Sequence, residues 1–274
     1  MSSNKKTFKT LKNITIGSDP ELFLTTLKGM VISAEGKLGG TKDNPRKLSN
    51  LGHAVQEDNV MVEFNIPPVK GEDEFVRELK LTMDLIKKDV LKGEYELLAI
   101  PSSFLSKEEC STDQAITVGC EPDFNAYTGE ENPTCDIDVI PCKRYCGGHI
   151  HIGTSTEMGE DEKMALITFM DVFVGAPSSI LDLDVYRKNI YGQMGRMRFT
   201  DYGVEYRTLS NWWLGSEENQ RFIFKQTMIA IEYYNNCRGV LSEALKTLIL
   251  EGKFLEVCNI CNISVSKEKV HVMD

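Results

Sequence analysis

The sequence predicts an α+β fold, with antiparallel strands in one group and helices in another. Short runs alternate apolar and polar residues between Gly, Pro, Asn and Asp, as strands in hairpins do. Helical periods gather in separate stretches, so the strand–helix rhythm of a parallel sheet is missing. No low-complexity linker divides the 274 residues. One domain over residues 14–274 is expected behind a mobile tail of residues 1–13.

The elements follow in order. "ITIGSDPELFLTT" and "GMVISAEGK" are alternating runs joined by a Lys-Gly turn, which predicts a hairpin. "GGTKDNPRKLSNLG" is a loop. "AVQEDNVMVEFNI" reads as one strand stopped by Pro67-Pro68. Phe75, Leu79, Met83, Ile86 and Val90 then recur at helical spacing, behind Glu72, Asp73 and Glu74, which favour a helix N-terminus. "ELLAIPSS", "TVGCEPDFNAY" and "CGGHIHIGT" are extended, and residues 160–174 form a second amphipathic helix. "MRFTDYGVEYRTLSNWW" is a hairpin turning at Asp201-Tyr202-Gly203. Ser216 caps a helix running to about Asn236, with another from about Leu241.

Period two sorts the strand side chains onto two faces. Asp19 and Glu21 oppose Leu22 and Leu24; Glu57, Asn59, Glu63 and Asn65 oppose Val60, Val62 and Phe64. His149 and His151 oppose Ile150 and Ile152; Glu205 and Arg207 oppose Val204 and Tyr206; Glu121, Asp123 and Asn125 oppose Phe124 and Ala126. A solvated sheet face usually mixes Lys, Thr, Ser and Glu, whereas this one carries acids and histidines without lysine. So many carboxylates on one sheet repel unless cations neutralise them. Oxygen ligands with few imidazoles suit Mg²⁺ or Mn²⁺. Arg187, Arg196, Arg198 and Arg207 crowd into "YRKNIYGQMGRMRFTDYGVEYR". Guanidinium groups facing a metal-bearing surface are what phosphoryl transfer requires. Arg196 and Lys188, taken singly, read as surface charges.

The net charge of −10 argues against sequence-independent nucleic-acid binding. The eight cysteines are too sparse for a disulfide scaffold. "MSSNKKTFKT" is no secretory leader, and no apolar run reads as long enough to span a membrane, so a cytoplasmic protein with reduced thiols is expected. There is no P-loop or dinucleotide fingerprint. Cys258-x-x-Cys261 has no second pair at zinc-site spacing.

"GSDPELF", "DNVMVEFNIPP", "GGHIHIG", "YGxxGRMR" and "GVEYRTLSNWW", in this order from about Ile14 to Leu214, resemble a phage-encoded family of carboxylate–amine ligases. That family is related to glutamate–cysteine ligase and, more distantly, to glutamine synthetase. The resemblance implies a glutamine-synthetase-like fold: a curved antiparallel sheet forming a bowl, with helices on its outer face and ATP and divalent metals inside. It implies amide-bond formation through an acyl phosphate, joining small-molecule or peptide carboxylates and amines. Carried over residue by residue, Asp19, His149 and Glu205 would ligate one metal, and Glu21 and Glu63 another. His151 would contact an ATP phosphate, Arg198 and Arg207 would stabilise the γ-phosphate, and Arg187 would hold a phosphate or substrate. Asp19 stands where the better-known relatives carry Glu, and Asn211 where they often carry Asp. Glu121, Asp123, Asn65, Asn211 and Lys42 are candidates for the substrate side. Two other readings compete. A relative that binds ATP and metal without turnover would keep the same residues. A cupin-like metalloenzyme built on His149-x-His151 would need a nearby carboxylate, for which Glu157 stands one or two positions too late.

Overall fold

The computed structural model describes residues 8–117, 122–133 and 140–265. Its strands are β1 (Thr15–Ser18), β2 (Glu21–Thr26), β3 (Val31–Ile32), β4 (Arg46–Lys47), β5 (Ala54–Asp58), β6 (Met61–Asn65), β7 (Tyr95–Leu98), β8 (Ser102–Phe104), β9 (Phe124–Asn125), β10 (Lys143–Tyr145), β11 (Ile150–Gly153), β12 (Arg196–Thr200) and β13 (Gly203–Tyr206). Its helices are α1 (Glu72–Leu85), α2 (Asp113–Ile116), α3 (Glu160–Met170), α4 (Ala176–Leu181), α5 (Val185–Ile190), α6 (Glu217–Asn236), α7 (Glu243–Leu250) and α8 (Phe254–Ile260).

The fold is α+β: a curved antiparallel sheet with helices at its periphery. One part runs β1-β11-β13-β12-β9 and the other β3-β2-β6-β5-β4, with β7 on the second edge of β2. The chain passes from one part to the other at Asp19-Pro20, between β1 and β2. The end of β6 is tied to this crossing by Phe64 N–H to Pro20 O and Ile66 N–H to Ser18 O, both 3.2 Å. Asp19 therefore sits at the fold's internal corner.

Across β1, β11, β13 and β12 the register sets Gly17, His151, Glu205 and Arg198 in one row. The next row, Ile16, Ile152, Val204 and Phe199, faces the other way, as the alternation predicts. Ile16, Ile152 and Val204 of that face are buried; α3 packs on β12 and β13, and α6 packs on α3. Phe75 of α1 stacks on Trp213 at 5.8 Å and tilts against Phe224 of α6 at 5.5 Å, joining the two long helices behind the sheet. Ser216 caps α6, its side chain accepting from Asn219 N–H.

Four readings change. "AVQEDNVMVEFNI" is a hairpin, β5–β6, turning at Asn59 with φ +55°. Gln56 pairs with Glu63 and Asp58 with Met61, so Gln56 and Asp58, not Glu57 and Asn59, accompany Glu63. Glu57 instead accepts from Gly36 and Leu38 N–H under the preceding loop. The second helical stretch continues through a π-helical segment, Asp171–Gly175, to Leu181. Glu160–Leu181, at 22 residues, meets the length and composition of a membrane span, contrary to the sequence reading; 78% of its apolar window is buried, as in a core helix. Residues 8–13, read as part of a tail, are tied to the core: Leu11 is buried, and its N–H donates to Asn235 Oδ1 at 2.8 Å. Arg196, read as a surface charge, is buried. The six cysteines at 110, 142, 146, 237, 258 and 261 carry free thiols.

Asp171, fully buried in the π-helical segment, accepts from the Tyr206 hydroxyl at 2.8 Å. Burial pushes its pKa up to about 7, partly offset by the Tyr206 bond. A carboxyl whose pKa rises on folding stabilises the fold below its ordinary value, and that stability is lost as pH rises through about 7. Asp171→Asn keeps a hydrogen-bond acceptor and removes the titration. Urea unfolding at pH 4 and pH 8 should show the variant gaining on the wild type by about 2–4 kcal/mol between them. An unchanged difference would mean that Asp171 is ionised at both pH values.

Candidate metal and phosphoryl site

The glycines of "GGHIHIG" have steric causes. A Cβ on Gly148 would lie 2.4 Å from Ser210 O and from the Trp213 indole nitrogen, and one on Gly147 would lie 2.5 Å from the His149 ring. Gly147 also donates its N–H to Glu21 Oε2 at 2.6 Å. The bare backbone lets this segment close against β2 and the Ser210 turn, which presents both imidazoles to the corner.

There Asp19 Oδ1 lies 3.3 Å from His149 Nδ1 and 3.0 Å from His151 Nε2. Glu205 Oε1 lies 3.4 Å from His149 Nδ1. Asp19, His149 and Glu205 thus offer three ligand atoms within 4.8 Å of one another. Adjacent ligands of an octahedral ion with bonds of about 2.1 Å stand roughly 3 Å apart, so the spacing fits a small divalent cation. The protonation states fit as well. Burial, seconded by Arg207, pushes the His149 pKa down, which favours the neutral ring. Burial alone would raise Asp19, but His151 and His149 outweigh it and hold the carboxyl well below the usual range. Burial and Asp19 would likewise raise Glu205; Arg207 and the two histidines prevail and keep it ionised. Glu157, the carboxylate a cupin-like site would recruit, is exposed, and Glu205 is the acid that joins His149.

His151 is stacked on Tyr202, with centroids 5.8 Å apart and planes at 11°, and its Nδ1 is 2.7 Å from the Tyr202 hydroxyl. Same-face positions on a strand are ~6.6 Å apart, yet both rings lean to one carboxylate oxygen of Asp19.

A second acidic group flanks the triad. Glu21 and Glu63 are cross-strand neighbours, and Gln56 donates to Glu63 Oε2 at 3.1 Å. Burial first, then Asp58, pushes Glu21 up to about 7. Burial, then Asp19, Asp58 and Glu21, pushes Glu63 well above its ordinary value. Asp58, also raised by burial, feels the opposing charge of Lys42, whose side chain is exposed. Reading β5–β6 as one strand put Asp58 on the wrong face; an Asp-Asn pair inside an alternating run was the signal of a turn. Asn65 extends the Glu63 face, with a buried side-chain oxygen.

The arginines form the opposite bank. Arg207 contacts Glu205 Oε1, and Arg198 Nη1 is 3.2 Å from Glu205 Oε2. Arg196 Nη1 donates to both Asp123 oxygens at 3.0–3.1 Å, and Arg207 Nε lies 3.7 Å from Asp123. Asp123 is thus paired with the arginine bank. Arg187, buried, donates from Nη1 to Thr208 O at 2.8 Å. Asn211, fully buried, donates to the Glu21 backbone oxygen at 2.7 Å, which ties its turn to β2. Glu121 lies outside the described residues.

The Asp19–His149–Glu205 triad, capable of coordinating a divalent metal, is thus bounded by guanidinium groups. Against known families, residues 135–249 match the one described as phage phiEco32-like COOH.NH2 ligase-type 2. That range holds the His149–His151 segment, the arginine bank and Glu205; Asp19, Glu21, Asp58 and Glu63 precede it. It also reaches into α7, beyond the Leu214 limit of the sequence motifs. Comparison with curated proteins gives no match. Among solved structures, the chain is similar to a bifunctional glutathione synthetase from Pasteurella multocida, with 10% identity and a TM-score of 0.47. The alignment covers 94% of this chain and 46% of that one, so the chain spans just under half that enzyme's length.

Mn²⁺ titrated calorimetrically should bind the wild type, and Asp19→Asn and Glu205→Gln should each weaken it by more than about tenfold, as ligand-shell losses do. Equal affinity in all three proteins would place the cation elsewhere.

Proposed function

We propose that this chain is an ATP-dependent carboxylate–amine ligase that works through an acyl phosphate, with Mg²⁺ or Mn²⁺ in the bowl. The observation that carries the reading is Glu205, one carboxylate shared by the cation-binding triad and the arginine bank. The family match over residues 135–249 supports the reaction class. A divalent cation held by Asp19, His149 and Glu205 would offset the charge of the triphosphate; a second would be held by Glu21 and Glu63, with Asp58 beside them.

The chain's own groups account for the rest. Glu205 occupies both Arg198 and Arg207 through its two oxygens. With Glu205 shared by a bound metal, these guanidiniums would be placed to stabilise the equatorial oxygens of the transferred phosphoryl group, where charge spreads as the bond to ADP breaks. Asp123 and Arg196 buttress Arg207 from behind. His151, braced by Tyr202, lies where it can donate from Nε2 to a phosphate oxygen near Asp19. A substrate carboxylate oxygen attacks the γ-phosphorus and ADP leaves with the bridging oxygen. The amine then attacks the acyl carbon, inorganic phosphate leaves, and the nitrogen sheds a proton to give the amide. Glu21 and Glu63, raised by burial, are the pair that would hold the second cation, whose charge would favour their ionised form.

Hydroxylamine should replace the amine. Candidate carboxylic acids incubated with protein, ATP, Mg²⁺ and hydroxylamine should give a hydroxamate together with ADP and phosphate. Arg207→Ala should lose about a hundredfold or more in rate while still binding ATP. AMP and pyrophosphate as products would rule out the acyl phosphate, and the absence of hydroxamate with every acid class would favour a binding protein without turnover.

A further inference from the structure

Strands β8 and β10 pair with each other apart from the two sheets of the bowl, and Tyr186 of α5 reaches them. Lys143 and Tyr145 are two positions apart on β10 and share a face. Both are more than nine-tenths buried. The Lys143 ammonium lies 3.9 Å from the ring centroid of Tyr186, 5.4 Å from that of Phe104 and 5.8 Å from that of Tyr145. Among the described residues it forms no hydrogen bond or ion pair. Ring faces attract its charge, but they do not replace oxygen acceptors for its three N–H groups. The Tyr145 hydroxyl is also buried without a partner. Burial, then Asp184 and Tyr186, pushes its pKa up, so it keeps a proton to donate. Asp184 itself is engaged: it accepts from Ser102 Oγ and from the N–H groups of Tyr186 and Arg187. Buried donors without acceptors are costly, so this strand face is short of an acceptor, and the charge on Lys143 favours an anionic one.

The rings indicate what carries that anion. Phe104 is 60% exposed and Tyr186 52% exposed. Two exposed aromatic side chains beside one cation offer flat apolar surface on which another ring can stack. A bare anion would use the two donors and leave both rings in water. We infer that β8, β10 and the start of α5 form a binding site for a flat aromatic ring bearing an anionic group, the anion taken by the Lys143 ammonium and the Tyr145 hydroxyl and the ring laid against Phe104 and Tyr186. Nucleotides and aromatic carboxylates share this chemistry. The site opens outward between the two exposed rings, so no enclosed volume limits its ligand. It borders the bowl without belonging to it. Arg187, next to Tyr186 in α5, acts on Glu21 and Arg207, and Cys146, next to Tyr145, feels Glu21. The inference does not depend on the ligase reading.

Calorimetric titration of the full chain without divalent metal tests it, with AMP and benzoate as probes and adenosine, inorganic phosphate and acetate as controls. At least one probe should bind saturably, and which one does identifies the source of the ring. Adenosine should bind more weakly than AMP, phosphate more weakly than AMP, and acetate more weakly than benzoate. Lys143→Met should weaken the binding probe about tenfold or more, as loss of a charged hydrogen bond does. Phe104→Ala, a change at an exposed ring, should weaken it about fivefold or more, as loss of a stacking partner does. Tyr145→Phe keeps the ring and removes the hydroxyl; it should give a smaller loss and keeps the anion contact testable if Lys143→Met does not fold. Mn²⁺ affinity should be unchanged in Phe104→Ala, which separates this site from the bowl. Binding of neither probe overturns the proposal, as does binding that all three variants leave intact. Adenosine as tight as AMP overturns the anion contact, and phosphate or acetate as tight as its ring-bearing counterpart overturns the stacking surface.

Discussion

Everything in this fold accommodates one electrostatic constraint: six carboxylates, Asp19, Glu21, Asp58, Glu63, Asp123 and Glu205, are drawn toward one surface and largely out of water. Burial of an ionised carboxylate is sustained only beside compensating charge. Asp19 has two imidazoles, Glu205 two guanidiniums, and Asp123 lies against Arg196 and Arg207. Glu21, Glu63 and Asp58 have pKa values raised first by burial. The surface is thus divided between a half in which paired charges hold the acids ionised and a half in which burial raises their pKa values.

The scaffold holds this surface through strand geometry. Because β11 and β13 are central and straight in register, each polar residue has an apolar neighbour pointing into the helices, and the same few residues build the site and the core. Tyr206, next to Glu205, reaches through to Asp171 on the long helix. The sheet face and the helical layer are therefore linked by the peptide units of a single strand.

Much of this was legible in the sequence. Period-two alternation places His149, His151, Glu205 and Arg207 on one face, and the register sets His151, Glu205 and Arg198 side by side. Asp19, His149 and Glu205, grouped in the sequence only through the family resemblance, meet in space. What was missed has a geometric cause. Along one strand, residues sharing a face are an even number apart; across a hairpin such as β5–β6, partners like Gln56 and Glu63 are an odd number apart. Alternation that continues through a two-residue turn conceals the change of parity, so Glu57 and Asn59 took the place of Gln56 and Asp58. Arg196 was misjudged because its partner, Asp123, is distant in sequence and only the pairing of β9 with β12 joins them. Helix α5 is six residues long, too short to show a period, though Asp184 caps it through Tyr186 and Arg187 N–H.

The β5–β6 turn makes loop length a determinant of chemistry. Removing or adding one residue at Asn59-Val60 would shift one arm of the hairpin by one position, and a shift of one exchanges its two faces. Asp58 and Gln56 would then turn toward the hydrophobic layer while Glu57 rotated into the bowl. A single-codon insertion or deletion there would rewrite the charge inventory of the bowl without substituting any of its acids.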